Sequence, residues 1–329
     1  MNILETVEKT LLPRLRAWDA KDFFNRILTE TKGEIPPYFY PLEIWGENRG
    51  FQKGIDFSNL YYREMFWHAS MTYCWQITKP EYQIPSELLA DVLDSEFNGK
   101  LPLSVLKTIP HWTGYVDLSA CPIKHPLPEE PLIEGIFLST VTHWSGKEGL
   151  TIVYPYNDGG FPQTLFFPFD EGLTLEEVIA SDPTIIRAAK EHNLDAEAAA
   201  DILMRDGYRE TYTKLLNVAL FVAQEYEPRD AVDFRNTFRL TRMKRSGKHY
   251  SLRFLNAHRK FPVGFDYLEE MEQRKKGQKT YGRAAHIRRA HWHGYWVGPV
   301  VNGVRKLKFK WIRATVVSGS LDRGTSDGE

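Results

Sequence analysis

His286-Ile-Arg-Arg-Ala-His-Trp-His-Gly-Tyr-Trp296 places two arginines, three histidines, two tryptophans and a tyrosine within eleven positions. On a strand, successive side chains point to opposite faces. His291, His293 and Tyr295 therefore share one face, and Trp292, Gly294 and Trp296 share the other. Lys306-Leu-Lys-Phe-Lys-Trp311 alternates in the same way, with Lys306, Lys308 and Lys310 opposite in parity to Leu307, Phe309 and Trp311. Between the two runs stand Gly298-Pro299 and Asn302-Gly303, all turn formers. The pattern predicts a cationic-aromatic β-hairpin with one face to bury (Trp, Phe, Leu) and one to show (Lys, His, Tyr).

The charge distribution sets this stretch in context. The 329-residue chain has a formal net charge of −1. Residues 1–234 hold 20 Lys+Arg against 36 Asp+Glu, a net of −16, whereas residues 235–313 hold 21 against 4, a net of +17. Such a split points the C-terminal part toward a polyanion, with RNA first, or toward the chain's own acidic part. It also suggests an acidic domain over 1–234, a basic segment with the hairpin over 235–317, and a flexible tail over 318–329. Nothing at the N-terminus reads as a signal peptide, and no apolar run nears the ~20 residues of a membrane span, so a cytoplasmic protein with no membrane partner is expected. Cys74 and Cys121 are then expected to be reduced thiols rather than a disulfide.

Upstream, Ile3, Val7, Leu11, Leu15 and Trp18 keep a helical stripe that Pro13 interrupts. Phe57–Ile77 reads as an aromatic-rich buried helix, and Ser86 opens a short helix through Phe97. From Trp112 the period becomes that of strands: Tyr115–Leu118, Ile133–Val141, Leu150–Tyr154 and Thr164–Phe169, with Asn157-Asp-Gly-Gly160 as a turn. Helices then resume. Thr174 and Glu177 form a capping box, an Ala-rich helix follows Asp195, and Tyr208, Tyr212, Leu215, Leu216, Ala219 and Val222 mark a buried stripe. Residues 240–285 read as a basic, turn-rich arm. The order of helices, antiparallel sheet, helices and basic hairpin argues for an α+β fold.

Chemical signatures are sparse. There is no Walker A loop, dinucleotide fingerprint, nucleophile elbow, H-E-x-x-H or paired C-x-x-C, and no cofactor is implied. His68, His111 and Asp117 read as structural. His291 and His293 fall ~6.6 to 7 Å apart on one strand face. They could begin a zinc site, but a third ligand is missing and His286 has the wrong parity, so no metal is assigned. They could act as base and acid in metal-independent RNA cleavage. They could equally pair with cross-strand neighbours. Binding is the preferred reading: Arg288, Arg289, His291, His293, Tyr295, Lys306, Lys308 and Lys310 supply charge and contacts to nucleic acid or ribosome. Trp292, Tyr295 and Trp296 offer stacking faces, or else the tryptophans form the core side of the hairpin.

These residues also carry a resemblance. His286 to Trp296, followed by the lysine strand ending at Trp311, resembles the C-terminal signature of a type V-A anti-CRISPR family, the second of its series, carried on phages and other mobile elements. Trp112-x-x-Tyr-Val-Asp-x-Ser119 is similar to a second family segment. The matching positions are His286, Arg288, Arg289, His291, Trp292, His293, Tyr295, Trp296, Trp311, Trp112, Tyr115 and Asp117. The chain departs at Ala285, where the pattern has Pro, and at Ala290, where Gly is usual. The resemblance implies an adaptor. Such a protein recognises the nascent amino-terminal peptide of a type V-A CRISPR effector, contacts mRNA or ribosome, and brings about loss of the effector's message through a host ribonuclease. The alternatives are a ribonuclease using His291 and His293, and a mobile-element RNA- or DNA-binding protein with no CRISPR role.

Overall fold

The computed structural model describes residues 71, 74–76, 79–96, 100–109, 111–125, 132–142, 147–154, 163–170, 172–181, 186, 208–225, 243–246, 249–252, 259–264, 286–288, 290–301, 304–313 and 315–317. The expected N-terminal helix, most of the 57–77 helix, the Asn157–Gly160 turn, the Ala-rich helix after Asp195, His68, Arg289 and the tail lie outside the described residues.

A six-stranded sheet forms the centre. Its meander runs β2 (Thr113–Asp117), β3 (Gly135–Thr142), β4 (Glu148–Tyr154) and β5 (Gln163–Pro168), each antiparallel to the next. These are the strands expected from the sequence, within two residues at most ends. The sheet does not stop there. β1 (Pro80–Gln83) lies parallel to β2, and β8 (Arg259–Pro262) lies parallel to β1, giving the order β5-β4-β3-β2-β1-β8. The sheet is thus mixed rather than purely antiparallel, and its last strand comes from the basic segment.

Alternation assigns the two faces of this sheet. Val116, Ile136, Leu138, Leu150, Ile152, Leu165 and Phe167 face the main core, and Tyr115, Phe137, Val141, Val153 and Phe166 join Met71 and Trp75 in a second cluster. On the main side lie α1 (Ser86–Leu93), a 3-10 turn (Leu103–Thr108) and α3 (Tyr208–Glu225). α3 shows the expected stripe and more: from Leu215 to Ala223 every residue is buried. Thr108 Oγ1 donates to Ala223 O at 2.5 Å, satisfying one of the carbonyls a helix leaves unpaired in its last turn. Thr174 caps α2 (Leu175–Ala180) with the capping box that its sequence predicts.

α1 ends at Leu93, four residues short of expectation. Asp94 N–H closes on Ala90 O, and Glu96 then pairs in parallel with His291. A strand contact from 195 positions away has taken the residues that local periodicity assigned to helix. Part of the expected basic arm is also ordered: β6 (Met243–Ser246) and β7 (His249–Leu252) form an antiparallel pair. Among the described residues no helix is long and apolar enough to cross a membrane. Neither Cys74, which is buried, nor Cys121, which is half-buried, is in a disulfide.

Candidate functional site

The C-terminal hairpin consists of β10 (His291–Val301) and β11 (Val304–Ile312), extended by β9 (His286–Arg288) and β12 (Thr315–Val317). Opposed residues include His291 with Ile312, Trp292 with Trp311, His293 with Lys310, Gly294 with Phe309, Tyr295 with Lys308, Trp296 with Leu307 and Val297 with Lys306. Arg288 pairs with Thr315 and His286 with Val317, so the outer pair continues the same register. Asn302-Gly303 lies outside the described residues, and Gly298-Pro299 is not a turn. It lies where the register slips between Val297 and Val301, three residues of β10 facing one of β11. Proline has no N–H to contribute to a ladder, and a bulge accommodates it.

At its Trp292–Trp311 rung the predicted inner face is a core face. Trp292 is 9% exposed and Trp311 is 0% exposed. Trp292 Nε1–H donates to Asn217 Oδ1 at 3.1 Å, and Trp311 Nε1–H donates to Ser95 Oγ at 2.8 Å. Asn217 Nδ2 in turn donates to Ser95 O at 2.8 Å, and Ser95 Oγ donates to Asp91 O at 2.8 Å. Trp311 N–H donates to Gln224 Oε1 at 2.8 Å, while its ring meets Phe221 edge-on at 5.0 Å. The result is a polar latch inside an apolar contact, and it removes both indoles from any stacking role. Ala290, at a position where the family pattern has Gly, is 5% exposed and its methyl belongs to the same core. Arg313 meets Asp91 at 3.5 Å on the margin.

None of Ser95, Asn217 and Gln224 stood out as functional in the sequence. One signal was present. Asn217 interrupts the run Leu215-Leu216-Asn217-Val218-Ala219-Leu220, and a polar residue inside a fully buried stretch requires a partner. With Phe221 and Gln224 it falls on one helical face at i, i+4 and i+7.

The outer face carries His293 and Lys310, both exposed, Tyr295 at 38% exposure, and the half-buried His291 and Lys308. His291 and His293 are two positions apart on this face, but their cross-strand neighbours differ: Ile312 for His291, Lys310 for His293. Among the described residues no group of three His, Cys, Asp or Glu is placed to hold a metal.

The second sequence segment lies elsewhere. Trp112 is buried, and its carbonyl accepts from Thr140 N–H at 2.9 Å and Ser139 Oγ at 3.0 Å. Tyr115 packs on Phe137 with centroids 5.2 Å apart, and its hydroxyl occupies the space that a side chain at Gly135 would need. Burial, then the carboxylates of Asp117, Glu81 and Glu134, push the Tyr115 phenol well above its ordinary pKa, so it stays neutral. Asp117 Oδ1 accepts from Ser119 N–H at 3.0 Å, an Asx turn closing β2. Tyr115 belongs to the cluster on one side of the sheet and the two tryptophans to the core on the other, so the two segments do not form one site.

A sequence model of the AcrVA2-like family, described as anti-CRISPR type V subtype A2, matches residues 82–319, which include both segments. Among solved structures, the crystal structure of AcrVA2 matches with a TM-score of 0.52 and 17% identity, covering 93% of this chain and 98% of that one. At that identity the likeness shows a shared fold. No curated protein matches the sequence. On the extent of the family match, the chain belongs to the AcrVA2-like family of type V-A anti-CRISPR proteins.

Proposed function

We propose that this protein inhibits a type V-A CRISPR effector as an adaptor acting during translation. It recognises the effector's nascent amino-terminal peptide, contacts mRNA or ribosome through the basic C-terminal part, and leaves cleavage of the message to a host ribonuclease. Family membership supports the target. The observation that carries the adaptor reading is the hairpin's division of labour. Trp292 and Trp311 fix its inner face in the core, and His293, Tyr295 and Lys310 remain on the surface as a cationic-aromatic contact. The charge asymmetry supports a polyanionic partner for this part.

The test is a purified translation system lacking other ribonucleases, programmed with end-labelled effector message. The adaptor reading expects the protein on translating ribosomes and an intact message until a host extract is added. Translation-dependent cleavage without extract, abolished by His291→Ala/His293→Ala, would make the protein a ribonuclease instead. Binding to RNA with no effect on the effector message, extract or not, would leave it a nucleic-acid-binding protein without a CRISPR role.

A further inference from the structure

We infer that the outer face of the β10–β11 ribbon is a stacking platform for single-stranded RNA, in which Tyr295 takes a base while Lys308 and Lys310, with His293, hold the adjoining phosphates. This deepens the proposed function and rests on its assignment of RNA to the C-terminal part.

Three observations carry it. The first is which aromatic remains exposed. With Trp292 and Trp311 turned inward and both indole N–H groups bonded, Tyr295 is the large aromatic side chain left exposed among the described residues of the ribbon. At 38% exposure it is, with Leu132, one of two large hydrophobic side chains left exposed among the described residues. The second is the rung structure. Tyr295 stands directly opposite Lys308, and His293 directly opposite Lys310. Opposed Cβ atoms lie ~4.5 to 5.5 Å apart, so each rung sets a ring-bearing residue directly opposite a lysine. Lys308 and Lys310, two residues apart, are spaced by ~6.6 to 7 Å along the strand. A base on Tyr295 and phosphates on the lysine row thus fit one strand running along the ribbon. The third is charge: neither β10 nor β11 contains an aspartate or glutamate, while β11 carries Arg305, Lys306, Lys308 and Lys310.

The exposed ring selects the form of RNA. In a duplex the base faces are already stacked and the A-form major groove is too narrow for side chains to read, so Tyr295 would have nothing to cover it. A single strand offers splayed bases, and the stacking tolerates any sequence because every base has a π-face. This suits a protein that must engage whatever message is being translated.

The experiment uses the full-length protein and fluorescence anisotropy with labelled oligouridylate, an RNA duplex of equal length, and an acidic peptide, each at several salt concentrations. Oligouridylate is expected to bind more tightly than the duplex. Tyr295→Leu should weaken it by roughly 5- to 150-fold with an unchanged salt slope, and Tyr295→Phe should restore it. Lys308→Gln/Lys310→Gln should instead flatten the slope of log affinity on log salt by roughly 1.4, at about 0.7 per phosphate contact on single strands. Equal affinity for strand and duplex, indifference to Tyr295→Leu, or preference for the acidic peptide each overturns the inference. The two proposals separate cleanly. Loss of effector message without oligouridylate binding sinks the platform and leaves the adaptor; tight oligouridylate binding without loss of the message does the reverse.

Discussion

The two faces of the C-terminal ribbon come from alternate residues of the same short stretch, and they do opposite things. On the inner face, Trp292 and Trp311 are buried and each indole N–H has a specific acceptor. On the outer face, one position away at every step, His293 and Lys310 meet solvent. A count of aromatic and basic residues cannot tell these faces apart. Parity separates them, and hydrogen-bond satisfaction shows which side is core. The inner face also governs the outer one. A slip of one residue would carry Lys308 and Lys310 into the core and Trp311 into water. Only the observed register gives Ser95 and Asn217 their indole donors. The latch therefore determines which side chains the ribbon presents.

That dependence can be broken most forcefully at Trp311. Trp311→Ala removes the most deeply buried side chain of the ribbon and leaves Ser95 Oγ without its indole donor. Loss of a buried Trp costs about 3 to 5 kcal/mol, readable as a fall in the urea midpoint. A loss under about 1 kcal/mol would mean that the contact with Phe221 does not hold the hairpin down. Asn217→Ala comes next. It leaves the Trp292 indole N–H and the Ser95 carbonyl unpaired in a buried setting. At about 1 to 3 kcal/mol for each such group, partly relieved by relaxation, the expected cost is about 2 to 4 kcal/mol. Amide exchange should show where it falls: protection should drop along β10 and β11 while the meander β2 to β5 keeps its own. Uniform loss across both would contradict a latch that serves the hairpin.

The sequence made one half of this comparison readable and concealed the other. Alternation in His291–Trp296 and Lys306–Trp311 suffices to put Trp292 and Trp311 on the inner face and His293, Tyr295 and Lys310 on the outer one, because a strand's parity is local. The same holds for the meander, the capping box at Thr174 and the α3 stripe. What could not be read depends on distant partners. β1 and β8 are four residues each, hold prolines and charges, and are strands because Pro80–Gln83 finds β2 on one side and Arg259–Pro262 on the other. The early end of α1 has the same origin, since Glu96 is drawn to His291. Ser95, Asn217 and Gln224 are ordinary polar residues until the tryptophans reach them. Gly298-Pro299 looked like a turn because its chemistry suits one, and a bulge uses the same chemistry.

At the margin between the faces, Arg313 and Asp91 should contribute less. At 3.5 Å the two groups are farther apart than a good N–H···O hydrogen bond, so the pair gains only a weak attraction. A double-mutant cycle with Arg313→Gln and Asp91→Asn should return a coupling of about 1 kcal/mol or less. A coupling above about 2 kcal/mol would place this pair within the latch rather than at its edge.

The smallest effect on folding is expected on the outer face itself. Lys310 and His293 are exposed, and neither appears in the polar network that anchors the inner face. Lys308→Gln/Lys310→Gln should leave stability within about 0.5 kcal/mol, as for surface substitutions generally. The double variant thus separates what the latch confers from what the platform does: the urea midpoint should hold while loss of effector message in the translation assay falls. If the midpoint dropped as far as in Asn217→Ala, the outer lysines would be part of the scaffold, and the division between the two faces would not stand.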